Sequence, residues 1–275
     1  MKGKTIVITG ATSGIGEVAA MRLAEQGARI VMVARDRARG EATLAKLKGT
    51  GHAVHYADLS RLSEMKRVAR ELGEAERSID VLINNAGALF NSRIVTEDGL
   101  EKTFALNHMS YFVMTNLLLD RLKATPGARI VSTASDAHRR AKLDFSDLQA
   151  AKSYSGFPVY SRSKLCNILF TRELARRITG TGVTANSLHP GFVATRFGDE
   201  SGGLVSLGAR VAKKVGAISP EEGAKTIVYL ASSPAVAGAS GGYYYKEKLT
   251  TPTAEAQNDA DAKRLWDISA KIAGF

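Results

Sequence analysis

Short runs of apolar, largely β-branched residues alternate along this chain with longer segments of helical period. Strands are predicted over 5–9, 29–34, 53–56, 81–83, 129–133 and 183–188. Most of these runs are apolar at successive positions rather than at every second one, as in strands of a parallel sheet buried on both faces. Helices are predicted between them over 14–26, 37–48, 61–77, 100–123 and 159–179. Such alternation predicts an α/β fold: one doubly wound, Rossmann-type domain over residues 1–275, a parallel sheet with helices on both faces. Right-handed crossovers then bring the carboxyl ends of the strands to one edge, where ligands bind.

Two stretches break the alternation. Residues 192–218 are Gly-rich with scattered apolar residues (Phe192, Phe197, Leu204, Val205, Leu207) and read as a lid. Ser219-Pro220-Glu221-Glu222 then reads as a helix start, with Ser as N-cap and Pro at the first helical position, and the helix is predicted to run to about Ser232. An amphipathic tail helix is expected over about 254–273, with Leu265, Ile268 and Ile272 on one stripe.

Composition narrows the function classes. With 275 residues, 44% hydrophobic and 24% charged, the chain can bury a large core and is neither disordered nor fibrous. The single cysteine, Cys166, excludes an intrachain disulfide. The five histidines show no metal-ligand spacing, so no catalytic metal is expected. The 38 Lys+Arg outnumber the 27 Asp+Glu by +11, which raises the question of nucleic acid. The basic residues are dispersed (Arg139-Arg140, Arg176-Arg177, Lys213-Lys214) without aromatic interleaving or a binding motif, so no nucleic-acid partner is expected. No apolar run approaches the roughly 18 residues that span a bilayer. The expectation is a soluble cytoplasmic protein without a membrane anchor.

The chemistry is concentrated at the predicted carboxyl edge. Thr9-Gly10-Ala11-Thr12-Ser13-Gly14-Ile15-Gly16 follows the first strand and opens the first helix. Glycines there permit a tight turn and bring a pyrophosphate close to backbone N–H groups at a helix N-terminus; a purely structural turn is the alternative. At the end of the second strand, where NAD enzymes place an acid on the ribose, stands Arg35, followed by Asp36, Arg37 and Arg39. A guanidinium suits a 2′-phosphate, so NADP(H) is expected over NAD(H), while Asp36 remains available for the acid's role. Asp58-Leu59 follows the third strand, where Asp58 fits either an adenine contact or a turn ahead of Ser60. Asn84-Asn85-Ala86-Gly87 follows the fourth, offering amides to brace neighbouring strands and small residues beside a cofactor. Tyr160 and Lys164, four apart in a helical pattern, share one helix face. A tyrosine of ordinary pKa is a poor acid–base group at neutral pH, and an adjacent cation favours its phenolate. Ser135, just beyond the fifth strand, is a candidate to donate to a substrate oxygen and Asn107 a candidate to order a relay water, though neither stands out without the other residues.

Together these residues resemble the short-chain dehydrogenase/reductase family over nearly the whole chain. The cofactor motif appears as Thr9-Gly10-x-x-x-Gly14-x-Gly16, the strand-four motif as Asn84-Asn85-Ala86-Gly87, and the active-site motif as Tyr160-x-x-x-Lys164. The resemblance implies a catalytic tetrad of Asn107, Ser135, Tyr160 and Lys164. It also implies that Pro190, Gly191, Val193 and Thr195 form the loop at the nicotinamide carboxamide. Asn107-His108, Leu117-Leu118-Leu119, Asp144-Phe145-x-Asp147-Leu148, Ser163-Lys164-Leu165-x-Asn167 and Leu265-Trp266 are similar to the retinol-dehydrogenase-like branch. Ser110 stands where a Gly is usual, Ala134 where a second Ser is common, and the 25 residues from Ser135 to Tyr160 exceed the usual gap.

The resemblance implies an NADP(H)-dependent oxidoreductase interconverting a lipophilic alcohol and its carbonyl compound, with Tyr160 as acid and base. Leu89, Phe90, Phe157, Phe192 and Phe197 adjoin these motifs and are candidates for an apolar substrate wall. A non-catalytic NADP(H)-binding regulator is the alternative on the same fold; the intact acid–base set argues against it. Helices near 100–123 and 159–179 resemble those that pair in the family's homodimers and homotetramers.

Overall fold

The structure, a computed structural model, describes residues 1–193 and 218–275. Strands β1 (Thr5–Thr9), β2 (Arg29–Ala34), β3 (Ala53–Tyr56), β4 (Val81–Asn84), β5 (Arg129–Thr133) and β6 (Thr184–Leu188) alternate with helices as the hydrophobic pattern demands. They lie in one sheet of order β3-β2-β1-β4-β5-β6-β7-β8, parallel from β3 to β7. The order reverses between β1 and β4, which opens a crevice at their carboxyl ends.

Both faces of the sheet are covered because successive strand residues are apolar. On one face Val7, Val31, Leu82 and Ile130 pack under α3 (Leu62–Ala75), α5 (Ser110–Lys123) and α6 (Gly156–Arg177). On the other Ile6, Ile8, Ile30 and Met32 pack under α1 (Gly14–Glu25) and α7 (Pro220–Ser232). Helix α7 starts as its sequence dictates, with the Ser219 hydroxyl accepting from Glu222 N at 3.2 Å.

The structure departs from the pattern at four places. Helix α2 (Arg37–Leu44) stops short of residue 48, because Leu47 turns back into the core and Gly49 (φ +104°) and Gly51 (φ +76°) carry the chain into β3. The segment predicted as one helix over 100–123 is α4 (Lys102–Phe104), a wide π turn (Ala105–Met109) and α5. Two strands have no counterpart in the pattern, β7 (Tyr243–Tyr245) and the antiparallel edge strand β8 (Lys248–Leu249). A 3₁₀ turn, Glu255–Gln257, precedes the tail helix α8 (Asp259–Ala273), whose cap is the Asn258 side chain accepting from Asp261 N at 3.1 Å. Most of the expected lid, residues 194–217, lies outside the described residues. Among the described residues no helix is long and apolar enough to cross a membrane.

Helix α8 lies across α5 and α6. Its Trp266 stacks on Phe170 (5.8 Å between centroids) and meets Phe112 edge-on (4.9 Å), under the Arg177 guanidinium at 4.4 Å. Ser269 Oγ lies 2.7 Å from Nε2 of His108, buried in the π turn. The two helices that the family resemblance assigns to subunit pairing thus bury part of their surface on the chain's own tail. Truncating Trp266 empties this junction, and Trp266→Ala is expected to lower unfolding stability by about 3 kcal/mol, read from urea midpoints at unchanged slope.

Candidate active site

The crevice between β1 and β4 is tied by one side chain. Asn85 donates its amide to Thr9 O and Gly10 O, both at 3.1 Å, and accepts from Thr133 Oγ1 at 3.3 Å. Thr9 Oγ1 in turn accepts from Asn85 N and Ala86 N, each at 3.0 Å. Asn84, the other half of the pair, points into the core, where its amide donates to Thr115 Oγ1 at 2.9 Å. The glycine turn runs hard against this knot. A Cβ on Gly10 (φ +68°) would lie 2.7 Å from Ala86 Cα, and one on Gly16 would lie 2.3 Å from Gly10 O and 2.4 Å from Asn85 Nδ2. The Ser13 side chain at the α1 N-cap accepts no hydrogen bond, so the first-turn N–H groups are not consumed by a cap. Backbone approach and open donors beside Thr12, Ser13, Gly14 (φ +58°) and Ile15 fit a dinucleotide pyrophosphate.

The four residues of the expected tetrad come together on the far side of the same crevice. Ser135 follows β5, and its side chain is near enough to the Tyr160 phenol to oppose the rise of its pKa. Lys164 Nζ, one turn along α6, lies 5.7 Å from the Tyr160 ring centroid and donates to Thr133 O at 2.9 Å. Asn107 sits in the π turn, where its Oδ1 accepts from Ala88 N and its Nδ2 donates to Ala88 O and Ser163 Oγ, all at 2.9 Å. Ser163 Oγ donates to Tyr160 O at 2.7 Å, which links Asn107 to the helix carrying the tyrosine. Gly87 marks the meeting point: a Cβ there would lie 3.2 Å from Asn107 Oδ1 and 3.3 Å from Lys164 Nζ. The long Ser135–Tyr160 gap holds a 3₁₀ turn (Asp136–Arg140) and a loop whose Tyr154 hydroxyl donates to Phe90 O at 2.9 Å.

Electrostatically the site differs from the sequence expectation that Lys164 lowers the Tyr160 pKa. Burial pushes the Tyr160 phenol up to about 12, with the Ser135 side chain pulling the other way. Burial also lowers the Lys164 ammonium to about 7. The reason is that each charged form is desolvated, and Lys164 is turned to the Thr133 carbonyl rather than to the phenolic oxygen. Cys166, two residues on, is buried and its thiol is raised to about 12, which keeps it unreactive.

The remaining expected contacts are placed as follows. Arg35, Arg37 and Arg39 are all exposed at the start of α2, with the Arg37 guanidinium 4.3 Å over the Tyr56 ring. Asp36 caps α2, its Oδ1 accepting from Arg39 N at 2.8 Å, and is itself exposed. Asp58 Oδ1 accepts from Ser60 N and Oγ (3.0 and 2.8 Å), which forms the turn ahead of Ser60, with Leu59 buried beside it. Pro190 and Gly191 (φ +90°) follow β6, and Val193 bridges to Ile218. A Cβ on Gly223 of α7 would meet Val193 at 2.7 Å and Ile15 at 2.8 Å, so the Pro-Gly loop closes on the glycine turn. Thr195 and Phe197 lie outside the described residues. Sequence reasoning passed over Ser163, Tyr111 and the Thr133 carbonyl, which accepts from Lys164, Asn167 (3.3 Å) and the Tyr111 hydroxyl (3.3 Å). A backbone acceptor has no signature in residue type, and Tyr111 reads as an ordinary core aromatic.

Known proteins extend this picture. The family model of the short chain dehydrogenases matches residues 4–203. Human retinol dehydrogenase 14 is 41% identical over the whole chain and 88% of its own length. A crystal structure of an uncharacterised protein from Mycobacterium paratuberculosis superimposes with a TM-score of 0.81 at 31% identity, covering 99% of this chain and 94% of that one. A Burkholderia cenocepacia short chain dehydrogenase in complex with NADP superimposes with a TM-score of 0.70 at 25% identity, covering 88% and 95%. Sheet order, glycine turn and these likenesses agree: the chain belongs to the short-chain dehydrogenase family of oxidoreductases acting on CH–OH groups, in its retinol-dehydrogenase-like branch.

Proposed function

We propose that this chain is an NADP(H)-dependent oxidoreductase that interconverts a lipophilic alcohol and its ketone or aldehyde, with Tyr160 as the proton donor and acceptor. The observation that carries this reading is the buried Tyr160 phenol, with the Ser135 side chain acting on it and Lys164 flanking it one helix turn along. The nicotinamide supplies or accepts the hydride when bound. In reduction Tyr160 donates its proton to the carbonyl oxygen, and Ser135 holds the same oxygen by a hydrogen bond. Lys164 binds the cofactor ribose; Asn107, fixed by Ala88 and Ser163, connects Lys164 to a relay water.

Support for a lipophilic substrate comes from the phenylalanines. Phe157 is 47% exposed with its ring 6.5 Å from that of Tyr160, and Phe192 is 58% exposed after the Pro-Gly loop. Leu89 and Phe90, buried behind Gly87, extend the apolar wall. Support for NADP(H) comes from the exposed Arg35, Arg37 and Arg39 and from the NADP held by the Burkholderia relative.

Tyr160→Phe is expected to leave NADPH affinity within about twofold and to cut turnover at least ~10²-fold; near-normal turnover would defeat the assignment. Arg35→Asp is expected to lower the NADPH-over-NADH preference by about tenfold or more, one to two kcal/mol of charge-assisted contact, with kcat/KM for both cofactors as the readout. The raised Tyr160 pKa fixes the sign of the pH response. Oxidation needs the phenolate, so its rate should climb from about pH 7 to pH 10, whereas reduction needs the phenol, which stays protonated below a pKa of about 12, and should stay level over the same range. Initial rates in both directions across that range test this, and an oxidation rate that falls with rising pH contradicts it.

A further inference from the structure

The turn that presents Ser135 is held from behind by a residue outside the tetrad. Ser135 is the N-cap of the 3₁₀ turn Asp136–Arg140, with its hydroxyl accepting from Ala137 N at 3.2 Å. Its backbone carbonyl receives two hydrogen-bonding groups from His138, the backbone N at 3.2 Å and ring Nδ1 at 2.7 Å. The His138 side chain is wholly buried, edge-on to the Tyr243 ring of β7 at 5.1 Å. The Tyr243 hydroxyl lies 3.4 Å from the same Nδ1, and Thr253 N lies 3.4 Å from Nε2. A carbonyl only accepts and an amide N–H only donates, so these partners select one neutral tautomer, protonated at Nδ1 and bare at Nε2. Burial holds the imidazole below its ordinary pKa and keeps it in that form near neutrality.

We propose that His138 is a positioning residue for the reaction: it locks the Ser135 turn against β7 and the segment that follows β8, and so sets where the Ser135 hydroxyl meets Tyr160 and the substrate oxygen. This rests on the reading of Tyr160 and Ser135 given above. The turn needs such a lock. It is five residues long, Asp136, Arg139 and Arg140 are exposed to solvent, and His138 is its buried side chain, so beyond the contact with α6 the His138 ring is what anchors it. Of the two bonds to the Ser135 carbonyl, the ring bond is the shorter, and the same ring carries the contacts to Tyr243 and Thr253, distant in sequence. A displacement of about 1 Å at a catalytic hydroxyl is enough to cost ~10²-fold in rate.

Three substitutions separate the donor from the bulk. In His138→Asn the amide nitrogen takes the place of Nδ1, in His138→Gln it reaches only the place of Nε2, and His138→Leu offers neither. Carbonyl reduction with NADPH is expected to fall ~10- to 100-fold in kcat for His138→Leu and His138→Gln, and to stay within about fivefold for His138→Asn. NADPH affinity by nicotinamide fluorescence should stay within about twofold throughout. In a Ser135→Ala background His138→Leu should cost less than about twofold more, since positioning acts only through the hydroxyl. The proposal is overturned if His138→Asn falls as far as His138→Leu, if the losses follow melting temperature instead of the ring donor, or if the two losses multiply in the Ser135→Ala background. An active Tyr160→Phe protein defeats the catalytic reading itself; an inactive one with His138 variants at wild-type kcat defeats only the role of His138.

Discussion

The carboxamide of Asn85 holds the carboxyl edge of the sheet together. Strands β1, β4 and β5 are joined along their lengths by ladder bonds, but those bonds end where the site begins. There Asn85 supplies two donors to the glycine turn and an acceptor to Thr133, while Thr9 accepts from the backbone of the Asn85-Ala86 step. The next link is the Thr133 carbonyl, which holds Lys164 and Asn167 of α6 and Tyr111 of α5. A continuous set of polar bonds thus runs from the cofactor turn to the acid–base pair. Since half-satisfied buried polar networks are costly, the set constrains its members jointly.

Within this frame desolvation dominates charge attraction. Tyr160 and Lys164 are each nearly inaccessible, and burial moves both toward their neutral forms, the phenol upward and the ammonium downward. The pair shares a helix face, yet the nearest partner of Nζ is a carbonyl, not the phenolic oxygen. A protonated Tyr160 at neutral pH is the state required of a proton donor. His108, His138 and His189 are likewise pushed below the usual imidazole range by burial, to about 3 and about 4 for the first and last. Of the net charge of +11, the part with a chemical reading is Arg35, Arg37 and Arg39 at the start of α2.

Legibility in the sequence followed the strength of each local signal. Four strands have the bounds that their apolar runs predict, and β4 and β6 differ from theirs by one residue at one end. Helix α7 follows from its Ser-Pro-Glu-Glu start. The pairing of β7 and β8 was not legible, since strands of three and two residues give almost no pattern; Tyr243-Tyr244-Tyr245 after two glycines was the one available hint. Nor did the 100–123 segment reveal its π turn, because the apolar stripe is continuous through it. Yet that wide turn is what carries Asn107 to Ala88 and Ser163.

By itself the sequence determined the alternation of elements, the parallel sheet, the identity of the glycine turn, and the residue types that carry acid–base chemistry, since each is written in local spacing and side-chain chemistry. Only the tertiary structure decided that Asp36 caps α2 and Asp58 closes a turn on Ser60, that Lys164 faces a backbone carbonyl, and that the tail helix covers α5 and α6. It alone places His138 behind Ser135. Burial, desolvation and the partner of a hydrogen bond depend on which distant segments meet, and no window of sequence contains that information.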